Sequence, residues 1–189
     1  MFSVGPCDHA VVFYQGNELA GLVGEYLHSA ICGGGAAVVV ATPEHRAQIS
    51  KWLSGAGVDV QAAWAEGNYV LLDADETMRR FVINGRPDAA AFWETISPVV
   101  AAACSKHGPV RVFGEMVAVL WDMGLVDAAV ELEALWNEIS KQYPFTLLCA
   151  YPTEAVNDEA DSDSLAQVCS AHSAVVGAPP GSVEAWLPD

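Results

Sequence analysis

Short, largely apolar runs alternate along this chain with longer segments whose apolar residues recur at helical spacing. Ala36 to Ala41 reads AAVVVA, Val110 to Phe113 reads VRVF, and FTLLCAY comes directly after Pro144. A strand apolar on both of its faces must be covered on both, and strands alternating with helices build such a sheet in parallel. The expected architecture is therefore an α/β fold, with a mostly parallel central sheet of about five strands and helices on both faces.

The other expected strands are Val11 to Tyr14 and YVLLD from Tyr69. Leu19, Leu22, Val23, Tyr26, Leu27, Ala30 and Ile31 mark the first helix, which Gly33-Gly34-Gly35 stops. Thr42 suits the N-cap of the next helix and Pro43 its first position; Ile49, Trp52, Leu53 and Ala56 form its buried stripe. Asp75 is the expected cap of a short helix ending at Asn84-Gly85. A longer helix spans about Asp88 to Lys106, with Pro98 expected to bend or restart it. Two helices separated near Gly124 come after the fourth strand. The segment PTEAVNDEADSD reads as a loop, and a short helix covers about Ser164 to His172. The chain divides into one domain over residues 1–177 and a C-terminal tail over 178–189.

Charge narrows the function. Eight basic residues face 24 acidic ones in 189, a net charge of −16. A surface that negative repels phosphate backbones and anionic lipids, so neither nucleic acid nor a membrane is an expected partner. The N-terminus lacks the basic flank and apolar stretch of a signal peptide, and the five cysteines are odd in number and widely spaced. Both point to a cytoplasmic protein with reduced thiols. No CxxC, HExxH, GxxxxGK[ST] or GxSxG is present, so no metal, cofactor, phosphate loop or nucleophile elbow is expected.

Ligand crevices in open parallel sheets lie at the carboxyl ends of the strands. Those ends supply Tyr14, Gln15, Thr42, Asp73, Glu115 and Tyr151. Glu115, where a strand turns into a helix, can cap that helix, bind a ligand or act as a general base. On the helix after Gly124, Leu125, Leu132, Leu135, Trp136 and Ile139 share one face, and Asp127, Glu131 and Glu138 the opposite one. Glu133 falls on the flank, one turn from Asn137. A carboxylate there needs a partner, for which Arg111, a histidine or a ligand are the choices. His9 stands at the start of the first strand. His28, His45, His107 and His172 each stand alone in their segments and are read as non-catalytic.

Taken in order, DHAVVFY, VRVFGEMVAVLW, LEALWNE, LLCAYP and VCSAH resemble the MEDS family, the methanogen/methylotroph DcmR-type sensory domains, over about Asp8 to Gly177. The resemblance implies a RecA/KaiC-like three-layer sandwich without a working phosphate loop. It implies a sensory role, for hydrocarbon derivatives in some members, alongside histidine kinases, anti-sigma-type ATPase modules or DNA-binding segments. The family's characteristic positions correspond to His9, Tyr14, Arg111, Gly114, Glu115, Glu133, Cys149 and Tyr151.

The leading expectation is a small-molecule-binding sensory domain that signals through a partner protein of the histidine kinase or anti-sigma type. Tyr14, Thr42, Glu115, Trp121 and Tyr151 would line its site, with Trp136 as a further apolar wall. His9, Arg111, Glu133 and Asn137 would form the supporting polar shell. Two rivals stand beside it: a small hydrolase or lyase using Glu115 or Glu133 as general base, and a ligand-free interaction module. A homo-oligomer is compatible with all three.

Overall fold

The computed structural model describes residues 9–156 and 162–176. In chain order the elements are β1 (His9–Tyr14), α1 (Leu19–Cys32), β2 (Ala36–Ala41), α2 (Pro43–Gly55), α3 (Val60–Glu66), β3 (Tyr69–Asp73), α4 (Ala74–Met78), β4 (Val82–Ile83), β5 (Arg86–Pro87), α5 (Ala89–Lys106), β6 (Val110–Gly114), α6 (Met116–Asp122), α7 (Val126–Ser140), β7 (Phe145–Pro152), α8 (Ser162–Ala171) and β8 (Ala174–Val176).

Six strands form the central sheet in the order β3-β2-β6-β7-β1-β8, and every neighbouring pair is parallel. The period-2 alternation of each strand divides its side chains between two cores. Val11, Phe13, Val38, Val40, Val112, Leu147, Cys149 and Tyr151 face one way and pack with residues of α5, α6, α7 and α8, among them Phe92, Ile96, Val117, Leu132, Trp136 and Val168. Ala10, Val12, Tyr14, Val39, Ala41, Phe113, Leu148 and Ala150 face the other way, against Leu19, Val23, Leu27, Ile49 and Leu53 of α1 and α2. The result is three layers, helices on either side of a parallel sheet.

Several details depart from the sequence-based expectation. The edge strand β8 is a sixth strand, and its three residues are too few to register as a separate apolar run. Asp73, not Asp75, caps α4, because the helix starts directly at the strand end; its side chain accepts from Glu76 N at 3.0 Å. α3 is an additional helix capped by Asp59. Pro98 neither ends nor restarts α5, which runs unbroken from Ala89 to Lys106. It lies on the exposed side, where water can serve the carbonyl it leaves unbonded, while Phe92, Ile96 and Val100 anchor the opposite face in the core.

No helix among the described residues is long and apolar enough to cross a membrane. The tail over 178–189 and part of the acidic loop lie outside the described residues.

Candidate functional site

Two polar centres occupy opposite faces of the sheet. The first lies at the carboxyl rim, where β2 and β6 end side by side (Val40 pairs with Gly114) and hand over to α2 and α6. Glu115 occupies the N-cap position of α6 but makes no side-chain cap bond. Its carboxylate turns sideways instead. Oε2 accepts from the Thr42 backbone N–H at 2.8 Å and from Thr42 Oγ1 at 3.2 Å, and Oε1 accepts from His45 Nδ1. Thr42 is the N-cap of α2, so one residue starts the helix and holds Glu115.

Glu115 is only 5% exposed. Its hydrogen bond raises the His45 pKa; burial opposes this, and the charges of Glu115 and Glu44 add to it. Tyr14 is also buried, and its phenol is pushed up to about 12 by burial first and then by Glu115, Glu154 and Asp122.

The next residue of α2 reaches the other way. Arg46 Nη2 donates to Asp73 Oδ2 at 2.7 Å, at the end of β3. Consecutive side chains of the first turn thus clamp the strand ends on both sides of β2. Arg46 Nε is buried and finds no partner among the described residues. The residue lines a cavity of about 230 Å³ together with Leu72, Asp73, Thr77, Arg80 and Thr95.

The second centre is buried beneath α7 and α8. Glu133 of α7 is completely buried. Oε1 accepts from Tyr151 Oη at 2.8 Å, and Oε2 lies 3.3 Å from Cys149 Sγ, 3.2 Å from His9 Nε2 and 3.5 Å from His172 Nε2. Asn137, one turn along α7, accepts from His9 Nδ1 at 2.9 Å and donates to the Ala171 carbonyl at 2.9 Å. The His9 and His172 rings lie 4.0 Å apart. Burial works to raise the Glu133 pKa, but His172, His9 and the Tyr151 hydroxyl together hold it below the usual carboxylate range. Burial, then Glu133, pushes both the Cys149 thiol and the Tyr151 phenol well up.

The residues singled out in the sequence divide between these centres. Thr42 and Glu115 meet at the rim, with Tyr14 in the field of Glu115. Tyr151 and Trp121 lie on the other face in edge-to-face contact at 5.5 Å, with Trp121 Nε1 donating to Ala155 O. Trp136 packs edge-on to Phe92 within the core. His9, Glu133 and Asn137 come together as a polar shell, but Arg111 does not join them. Its guanidinium covers the Tyr26 ring and bonds the Tyr26 carbonyl and Ser29 Oγ. The partner that the flank position of Glu133 demands is a pair of histidines, assisted by Tyr151 and Cys149.

Sequence reasoning passes over His45 and His172. Each is solitary in its own segment, and its partner arrives from another element. Only the position of His45, three residues after an N-cap beside a strand end, hints at the rim.

A family model described as the MEthanogen/methylotroph, DcmR Sensory domain matches residues 8–173, most of the chain. No curated protein matches it.

Proposed function

We propose that this chain, which belongs to the MEDS family of sensory domains, detects a small molecule at the carboxyl rim of its sheet and passes the result to a partner protein. The observation that carries this reading is a cavity of about 230 Å³ whose lining includes Arg46, Thr77, Arg80 and Thr95, next along α2 from the Thr42–Glu115–His45 network. Arg46 and Arg80 bring charged donors to that cavity, and a hydrogen bond from a charged group to a ligand acceptor contributes about 1.5–3 kcal/mol. The volume suits a compact ligand of a few heavy atoms with a hydrogen-bond acceptor. Arg46 would anchor it, Thr77 and Thr95 would orient it, and α2 would relay its arrival to His45 and Glu115. No disulfide joins the described cysteines, which suits a reducing compartment such as the cytoplasm.

A thermal-shift screen of small oxygenated and halogenated hydrocarbons, then calorimetric titration, tests this reading. A ligand present at about 100 times its Kd stabilises the fold by about 2.7 kcal/mol, a rise of several degrees in Tm. Arg46→Ala should abolish the shift. If no compound stabilises the wild type, or if Arg46→Ala responds as the wild type does, the reading fails.

One observation favours a second reading, a small hydrolase. His45 is oriented by a buried carboxylate through Nδ1 while a quarter of its side chain is exposed, the arrangement of an oriented general base. Turnover of an ester panel that disappears in His45→Gln would support it.

A further inference from the structure

We propose that His9, Glu133, Cys149 and His172 form a closed, four-coordinate site for a divalent cation of the zinc class. This site is separate from the carboxyl rim, and the inference does not depend on the reading of that rim.

The spacing is the first support. His9 Nε2 lies 3.3 Å from Cys149 Sγ and 3.2 Å from Glu133 Oε2; Glu133 Oε2 lies 3.3 Å from Cys149 Sγ and 3.5 Å from His172 Nε2. All four ligand atoms fall within 4.8 Å of one another. Donors at about 2.0–2.3 Å around a tetrahedral ion stand about 3.3–3.8 Å apart, so these separations approximate the edges of such a tetrahedron.

The outer partners are the second. His172 Nδ1 lies 2.6 Å from the Val168 carbonyl, which can only accept, so Nδ1 carries the proton. The Asn137 amide nitrogen donates to Ala171 O, which leaves Oδ1 to accept from His9 Nδ1. Each neutral ring therefore presents a bare Nε2 to the centre. Tyr151 holds the other oxygen of Glu133. Ligand histidines bonded through their second nitrogen, with a bonded carboxylate beside them, are the usual outer arrangement of a metal centre.

The third support is an unanswered atom. His172 Nε2 is buried, forms no hydrogen bond among the described residues, and faces a carboxylate oxygen. Protonating one ring would answer only one of the two Nε2 atoms. Protonating both would stack two cations whose rings are 4.0 Å apart. A single cation satisfies both nitrogens, the carboxylate and the sulfur at once.

Charge then balances. Without metal, the Cys149 thiol donates to Glu133 Oε2. As the metal–sulfur bond forms, that proton leaves to solvent. One thiolate, one carboxylate and two neutral imidazoles around a divalent ion sum to zero, the charge that a fully buried site requires. Two nitrogens, one oxygen and one sulfur in four-coordination favour zinc, and four protein donors leave no open position for catalysis.

The test uses the full chain, expressed in zinc-supplemented medium and analysed by plasma mass spectrometry, and refolded with Co²⁺ for spectroscopy. About one zinc per chain is expected. The Co²⁺ form should show the visible bands of a four-coordinate ion and a thiolate-to-metal charge-transfer band. Cys149→Ser should remove the charge-transfer band and His172→Gln should cut metal content at least about tenfold, while Cys32→Ser keeps both. Should Cys149→Ser fail to fold, the wild-type spectrum decides alone. Less than about a tenth of an equivalent in the wild type after reconstitution, or a Co²⁺ spectrum lacking the thiolate band, overturns the proposal.

Discussion

Tyr151 donates its hydroxyl to Glu133 across 2.8 Å, joining the carboxyl end of β7 to the middle of α7 inside the core. Both side chains are fully buried. Tyr151→Phe keeps the ring against Trp121 and removes only the donor. A hydrogen bond to a charged group contributes about 1.5–3 kcal/mol, and urea unfolding of the variant should show a loss of that size. A loss under about 0.5 kcal/mol would mean that Glu133 draws nothing from this bond.

Asn137 acts on His9 rather than on the cation. In Asn137→Leu the ring is free to change tautomer or rotate, while all four donors remain. Competition with a chromophoric chelator should show zinc affinity falling about 10–100-fold with stoichiometry preserved. Unchanged affinity would remove Asn137 from that role.

The pair His45–Glu115 makes stability depend on pH. The folded-state pKa of His45 lies above its ordinary 6.5, chiefly through the Glu115 hydrogen bond. Its contribution is therefore fully present below about 6.5 and fades as pH rises through the folded value. Denaturation midpoints between about pH 5.5 and 9 should show the wild type losing its advantage over His45→Gln as pH increases. An advantage that grew with pH would contradict the pairing.

Gly35 offers a purely steric check. A Cβ there would sit 2.0 Å from the Pro109 carbonyl oxygen, and backbone cannot rotate out of the way. Gly35→Ala should destabilise by roughly 1–3 kcal/mol or more, whereas Gly55→Ala, whose Cβ meets nothing within 4 Å, should fall within about 0.5 kcal/mol of the wild type.

The layered sheet is legible in the sequence because strands buried on both faces leave largely apolar runs, as in β2 and β7. Strand order is not, since parallel crossovers place no local mark on the residues that will become neighbours. The rim is legible in part: Thr42 and Glu115 meet there as their strand ends suggest. Tyr151 shows why the rest is not. It ends the run FTLLCAY as Tyr14 ends β1, yet β7 continues to Pro152 and the register pairs Tyr151 with Phe13, so the two tyrosines point to opposite faces. Strand ends alone do not record that parity. Glu133 carries the clearest signal, a carboxylate on a helix flank with a polar neighbour one turn on. Its histidines enter from β1 and from the residue after α8, too far apart in the chain for any motif to link them.

The edge strand β8 pairs with β1 immediately after His172, and Ser173 grips the His9 backbone from both its amide, at 2.8 Å to the carbonyl, and its hydroxyl. Peeling that three-residue ribbon from the border would drag an imidazole away from Glu133. Amide exchange at Val176 therefore reads, from the periphery, whether the concealed heart of the molecule is intact.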